Sequence, residues 1–413
     1  MSVEQMKKYW SDPMCTSFTG QVRSVTPVGE NLAVVLEETC FFPEGGGQPA
    51  DRGSIAGLAV SDVQETSEEI IHTIANTEAA RDLLRPGQSI ACEIDRPYRI
   101  QNMRLHTTCH VLFGAARLVF NSVNYAGFHI GDSGSLYLKT DRLIRPDDLR
   151  QMTRLANEAV VDQRSIRTWL IAPEEMDQIP GLAVNQRELP EGQIRIVDID
   201  GWDIGACCGT HLPTTLEIGP IKAFNREFHK KNITRIDYVT GRQAVELMAA
   251  EENTLGETAE FLGSNRKEVF SMVEKLAGDL QSSQKEIHRL KENLLAFHLQ
   301  KLSGEGMPLG RATLFMGHFD FLDTTGVRAA VMRLLEGREA TLVVISGSTS
   351  LLSLAVGCSD DLAVDLREPV IRVVKTYGGG GGGKPGLVSA GNIQTTPDRL
   401  IADLMAELGI YFM

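Results

Sequence analysis

Phe41-Phe42-Pro43-Glu44-Gly45-Gly46-Gly47-Gln48-Pro49-Ala50-Asp51-Arg52-Gly53 is the stretch on which the reading of this chain turns. Three consecutive glycines let backbone N–H groups come close to a ligand, and Gln48 adds an amide that can both donate and accept. No Lys-Ser/Thr follows, so the loop is not a phosphate-binding P-loop. A plain structural turn has little use for an aromatic pair, a glycine triplet, a glutamine and an aspartate in succession. The flanks are β-rich, with Gly20 to Thr26, Leu32 to Leu36 and Ser89 to Ile94 broken by turn clusters at Pro43 to Gly47 and Arg85 to Gly87. Residues 1–95 therefore read as a small β-barrel carrying the glycine motif.

Downstream, Met103, Leu105, Val111, Leu112, Ala115, Leu118 and Val119 recur with helical spacing, and His106-Thr-Thr-Cys-His110 lies within that pattern. An i, i+4 pair shares one helix face and can grip one ion. Residues 147–161 offer a second helix, and strand-like segments return at 165–171, 193–199, 219–224 and 234–240, so residues 96–245 read as a helix-on-sheet α+β unit. Between those strands stands Cys207-Cys208-Gly209-Thr210-His211, a thiolate and an imidazole again four apart, with Gly209 suited to a tight turn. His106, His110, Cys207 and His211 make a mixed N/S set that suits one zinc ion per chain. Cys208 is the alternative ligand; Cys207 keeps the four-residue interval. If all four bind, the tetrahedron is closed, and His211 is the ligand expected to be labile. A metallopeptidase would carry a glutamate directly after the first helical histidine, where this chain has Thr107.

Residues 246–303 lose proline and gain Glu, Lys, Gln and Leu. Val273, Leu280, Ile287 and Leu294 form one seven-residue series; Val269, Leu276, Leu290 and Phe297 form another, interrupted at Ser283. The segment reads as a coiled coil or helical hairpin and a homodimer contact, or else as a long amphipathic helix packed on its own domain. Residues 304–413 read as a compact α/β domain holding the run Gly378 to Gly383, which suits neither a helix interior nor a regular strand. The fold class expected is thus α+β and multidomain.

A net charge of -13 argues against a protein that coats nucleic acid with its whole surface. The longest apolar runs fall far short of the ~20 residues a membrane span needs, and no export signal opens the chain, so it reads as cytoplasmic and free of membrane. Seven irregularly spaced cysteines suit free thiols or a metal site, with Cys15, Cys40, Cys92 and Cys358 read as buried small hydrophobes. His72, His129, His288, His298 and His318 have no partner motif and read as surface or satisfied core positions.

The motifs at 41–53, 104–110 and 207–211, in this order, resemble the editing domain of alanyl-tRNA synthetases and the freestanding AlaX trans-editing proteins. Glu217-Ile-Gly-Pro-Ile221 and Arg235-Ile-Asp-Tyr238 resemble the strands that follow in that family, and Tyr377 to Gly386 with Ser389-Ala-Gly391 resembles the synthetases' glycine-rich C-terminal domain. The likeness extends to the long form of AlaX. Only 40 residues precede the glycine motif, too few for a class II charging domain, so the expectation is hydrolysis without aminoacylation. The resemblance implies cleavage of the ester in tRNA(Ala) mischarged with serine, and of the glycyl ester as a further possibility.

A pocket built for alanine cannot strongly reject serine, whereas a site that binds the serine hydroxyl can reject alanine by up to ~10⁴ to 10⁵. By resemblance Thr39 meets that hydroxyl while Gly45, Gly46, Gly47 and Gln48 shape the pocket; read without the family, Thr39 is a strand residue. Lys222, Arg226, Lys230, Lys231 and Arg235 against Glu227 give a local +4, either an acceptor-stem contact or a solvated face. Lys375, Gly380 and Lys384 are the C-terminal candidates for tRNA contact, against the reading of a flexible loop without a ligand. Here Cys109 stands where the family usually has Thr, and Cys208 where it has Gly. Those departures sustain a rival reading, a zinc-stabilised tRNA-binding or regulatory protein without deacylase activity.

Overall fold

A computed structural model of the chain describes residues 7–182, 192–230, 232–348 and 351–412. They form two compact units, Met1–Phe261 and Leu262–Met413.

The first unit opens with a short helix α1 (Lys8–Ser11) and a closed barrel of β1 (Ser17–Val28), β2 (Asn31–Leu36), β3 (Gly53–Ile55), β4 (Leu58–Glu65), β5 (Ile70–Ala75) and, after α2 (Glu78–Leu83), β6 (Ser89–Ile94). The strand order is β1-β2-β5-β4-β3-β6, all neighbours antiparallel. Strict alternation builds it: in β6 Ile90, Cys92 and Ile94 are buried while Ser89, Ala91 and Glu93 are exposed. Val34, Phe41, Ile55, Val63 and Cys92 meet in its core, and closure leaves no unpaired edge. The glycine motif is the crossing from β2 to β3. Asp51 in that crossing accepts at Oδ1 from Arg99 Nε (2.8 Å) and at Oδ2 from Arg99 Nη2; the same guanidinium donates to Pro13 O (2.7 Å) and Cys40 O (2.5 Å). Both side chains are fully buried, so this ion pair pins the barrel to the next helix.

That helix, α3 (Arg96–Val119), starts at an Asp95 cap whose side chain accepts from Tyr98 N, with a proline in its first turn. It runs through the core of an α+β layer made with α4 (Pro146–Val161) and a sheet ordered β12-β13-β8-β7, from β7 (Val123–Ile130), β8 (Gly134–Thr140), β12 (Ile221–Lys230) and β13 (Ile233–Thr240). A second sheet, β11-β10-β9, comprises β9 (Ile166–Ile171), β10 (Ile194–Ile199) and β11 (Asp203–Ala206). Helix α5 (Gly241–Phe261) closes the unit.

The second unit begins with α6 (Val269–Leu302) and continues through β14 (Met307–Leu309), β15 (Ala312–Phe319), α7 (Thr324–Leu335), β16 (Thr341–Ser348), β17 (Leu352–Cys358), α8 (Arg367–Thr376), β18 (Gly380–Lys384), β19 (Leu387–Ile393) and α9 (Pro397–Phe412). Its sheet is ordered β14-β15-β16-β17-β19-β18, with only β15 and β16 parallel, and apolar cores on two sides.

One reading of the sequence changes here. The glycine run is a strand after all: Gly380 to Lys384 pair in register with Gly391 to Leu387. Alternate glycines are needed because a Cβ at Gly381 or Gly383 would strike the backbone of β19, whereas Gly380 and Gly382 face open space. The helical segment read over 246–303 falls in two helices, α5 and α6, separated between Phe261 and Val269, with Gly263 at φ +61°. On α6 only Leu295, Leu299 and Leu302 are buried, while Val273, Leu280, Ile287 and Leu290, the expected seam, stand exposed. Among the described residues no helix is long and apolar enough to cross a membrane.

Candidate metal centre

The ligand atoms of His106, His110, Cys207 and His211 all lie within 4.8 Å of one another. His106 and His110 come from the middle of α3; Cys207 and His211 come from the loop leaving β11. The chain thus brings together all four residues singled out by spacing, although 101 residues separate His106 from Cys207. Cys207 Sγ is 3.2 Å from His106 Nε2 and 3.3 Å from His211 Nε2. An ion bound at about 2.0–2.3 Å from each would hold such N and S atoms at about that separation.

Each imidazole has its far nitrogen engaged. His106 Nδ1 donates to Gln48 Oε1 (2.8 Å) and His110 Nδ1 to Asp203 Oδ2 (3.0 Å), while His211 Nδ1 pairs with Thr107 Oγ1 at 3.3 Å. The bonds to Gln48 and Asp203 make Nδ1 the donor in His106 and His110 and turn their Nε2 atoms inward, the arrangement that metal-binding histidines adopt. Burial would raise the Cys207 thiol, but the adjoining His106 and His211 rings outweigh it and hold it well below the ordinary thiol range. Burial and repulsion from His106 depress His211 to about 3, keeping it neutral. At His110 burial is overcome by the Asp203 carboxylate and Cys207, which push it up to about 10, so without an ion this ring takes the proton. Three imidazoles and a thiolate are a donor set that fits zinc, and binding an ion would displace the proton held at His110. Cys208, by contrast, is exposed, and its carbonyl accepts from Trp10 Nε1 (2.9 Å).

The glycine motif serves the cluster by geometry. Gly45 and Gln48 exchange two backbone bonds across Gly46 and Gly47, both at positive φ, which makes a two-residue turn of the I′ kind. The turn delivers Gln48, whose Nε2 donates to Thr210 Oγ1 (2.9 Å) and whose Oε1 accepts from His106 and from Thr210 N (3.2 Å). Gly47 O accepts from Ile130 N, and the Gly46 and Gly47 amides carry no bond among the described residues.

Gly209 has another reason to be glycine than the turn expected from sequence. Its φ is not positive; a Cβ there would run into Cε1 and Nδ1 of His106 and stand 2.9 Å from Gln48 Oε1. Gly209→Ala is expected to push His106 off its Gln48 bond and to weaken metal affinity by about 10–100-fold, read by chelator competition. Unchanged affinity would show that the loop yields instead.

Thr39 is buried, 1% exposed. Its hydroxyl accepts from Phe41 N (3.1 Å) and pairs with His72 Nε2 (2.9 Å); His72 Nδ1 donates to Val34 O, so Thr39 supplies the other proton. Burial lowers His72 to about 4, against 6.5 for the free side chain. Below pH 6.5 the unfolded chain therefore binds a proton that the folded barrel refuses. The contribution is intact above 6.5 and is lost as pH falls toward 4, at most about 3 kcal/mol. Urea midpoints measured from pH 7.5 to 4 should fall more steeply for the natural chain than for His72→Asn; parallel curves would refute this.

Sequence patterns did not point to Asp203, Thr107 or Arg195. Arg195 is 2% exposed, and its Nη1 donates to Cys207 O (3.0 Å) and Gly209 O (2.8 Å), clamping the ligand loop. No local spacing announces such a group; only a buried charge in a strand hints at it. The basic residues of 222–235 are largely engaged: Lys222 with Glu251 (2.5 Å), Arg235 with Asp237 (2.7 Å) and Arg226 with Ile144 O (2.9 Å). Lys231 and the side chain of Lys230 lie outside the described residues. Lys375, Gly380 and Lys384 are exposed in the second unit.

Cys207 to His211 fall inside residues 194–237, which match the family model described as the threonyl and alanyl tRNA synthetase second additional domain. The barrel and the start of α3, residues 14–98, match the model for class II (A) tRNA synthetases. The loop that carries Cys207 and His211 thus lies in a segment similar to the synthetase second additional domain. Along nearly its whole length the chain is similar to alanyl-tRNA synthetases. It is 30% identical over 410 residues to the alanine–tRNA ligase of Methanopyrus kandleri, covering 97% of this chain and 44% of that protein. It is 32% identical over 387 residues to the enzyme of Thermococcus kodakarensis, covering 90% and 40%. The chain thus spans less than half the length of these curated relatives. The C-Ala domain of Aquifex aeolicus alanyl-tRNA synthetase aligns with 26% of this chain and 96% of its own, at 23% identity and a TM-score of 0.24.

Proposed function

We propose that the chain is a zinc-dependent aminoacyl-tRNA deacylase that hydrolyses Ser-tRNA(Ala) in trans. The observation that carries this reading is the convergence of three oriented imidazoles and one thiolate beside the glycine turn. Bound zinc supplies a Lewis acid able to hold substrate or to lower the pKa of water. The chain's own groups do the rest. Gln48 and Asp203 keep His106 and His110 aimed, and Arg195 holds the Cys207 loop. Thr39, its proton committed to His72 and one lone pair taken by Phe41 N, keeps a second lone pair that a serine O–H can meet and an alanine methyl cannot. Water adds to the ester carbonyl, and the bond to the ribose oxygen breaks, releasing serine and intact tRNA.

The test is release of serine from Ser-tRNA(Ala), with Ala-tRNA(Ala) as the control, with and without a chelator. Chelator-sensitive seryl release with alanyl ester spared is expected; no seryl release leaves the non-enzymatic zinc protein as the better reading. In this proposal the second unit supplies tRNA affinity and a homodimer contact. Truncation after Phe261, where the first unit ends, is expected to leave a zinc-bearing deacylase of monomeric mass with a raised KM. A fragment with full-length KM would remove the second unit from tRNA binding; one that stays dimeric would remove α6 from the interface.

A further inference from the structure

Cys15 and Cys40 place their sulfur atoms 3.0 Å apart, nearer than the about 3.5–4.0 Å of ordinary non-bonded contact. No other pair of thiols meets in this way among the described residues. The two differ in setting. Cys15 is partly exposed in the connection between α1 and β1, and Cys40 is buried in the crossing between β2 and β3. The Cys40 side is held firmly: Arg99 donates to its carbonyl, and Thr39 before it accepts from Lys8 N at its own carbonyl. Neither sulfur belongs to the metal cluster.

We propose that Cys15 and Cys40 form an oxidisable dithiol, a modification site at which a peroxide converts two thiols reversibly into a disulfide. The Cys15 sulfur, the accessible one, attacks a peroxide oxygen; the O–O bond breaks, one water leaves and Cys15 becomes a sulfenic acid. Cys40 sulfur then attacks the Cys15 sulfur, the S–S bond forms, and the sulfenic OH departs with the Cys40 proton as a second water. Two thiols give up two electrons and two protons, and hydrogen peroxide is reduced to two waters. Burial pushes the Cys40 thiol up and keeps it protonated, which fits the resolving position rather than the attacking one. The sulfurs need to approach by about 1 Å to reach bonding distance. The product would tie the segment carrying Trp10, whose ring N–H reaches the Cys208 carbonyl beside the metal ligands, to the segment carrying Thr39.

Trypsin cleaves after Lys8, Arg23 and Arg52, so the two cysteines fall in separate peptides, residues 9–23 and 24–52. After the folded full-length protein is treated with hydrogen peroxide and its free thiols are blocked, non-reducing peptide mass analysis should find these two joined. Their mass should lie about 2 Da below the sum, and dithiothreitol should separate them. Recovery of both peptides unlinked, or of Cys40 joined to any other cysteine, overturns the proposal. Cys40→Ser should accumulate a dimedone-trapped sulfenic acid at Cys15, and Cys15→Ser should leave Cys40 unmodified. A folded Cys40→Ser protein, judged by its circular dichroism, with no adduct at Cys15 would overturn the assignment of the attacking thiol. None of these readouts depends on zinc or on deacylation.

Discussion

Alanine in place of His106 or Cys207 is expected to abolish metal binding and seryl release together. Each ligand pair alone grips an ion weakly, whereas four converging donors make a site of structural-zinc strength. Loss of an outer partner of a ligand already costs about 10–100-fold in affinity, so loss of a ligand should exceed 100-fold. Removing His106 also leaves the buried Gln48 oxygen with only the Thr210 amide, and removing Cys207 takes the only negative ligand from three imidazoles. Elemental analysis after dialysis checks the first half and ester release the second. A double variant lacking both side chains that still carries one zinc per chain would place the ion elsewhere.

Asp51→Ala is expected to be the most damaging change outside the metal ligands. Arg99 and Asp51 are both fully buried, and deletion of one member of such a pair leaves an uncompensated charge at a cost of about 3–5 kcal/mol. The loss should exceed what the missing contacts suggest, because Asp51 Oδ2 also accepts from Phe42 N (2.6 Å) and thereby shapes the crossing that delivers Gln48. Denaturant unfolding of the first unit measures it. The double variant Asp51→Leu with Arg99→Met should recover much of the stability, since it removes both charges from the apolar interior. If Asp51→Ala unfolds at the natural midpoint, the pair is not what joins barrel to helix.

Much of this architecture was legible along the chain. β-rich composition between turn clusters marked β1, β2 and β6, and helical spacing marked α3, because burying one face of a helix imposes a period of 3.6. The same periodicity put His106 and His110 on one face, and the interval from Cys207 to His211 set the second pair of ligands. Local chemistry could carry those inferences because each depends on residues a few positions apart.

The remainder was decided in three dimensions. Gly209 is required by the ring of His106, and Asp203 acts on His110 from 93 residues away; neither relation leaves a periodic trace. Gly380 to Gly383 became a strand because β19 supplies backbone partners that compensate their conformational freedom, and because a side chain at Gly381 or Gly383 would collide with that neighbour. The apolar series on α6 shows the converse. Heptad spacing determines that one face of a helix is apolar, but whether that face is covered depends on what the rest of the chain, or another molecule, brings against it. Sequence spacing selected the donors and their chemistry. Tertiary structure alone decided that they converge, which of their nitrogens face inward, and which buried groups hold them there, since these depend on approaches between segments that no local pattern encodes.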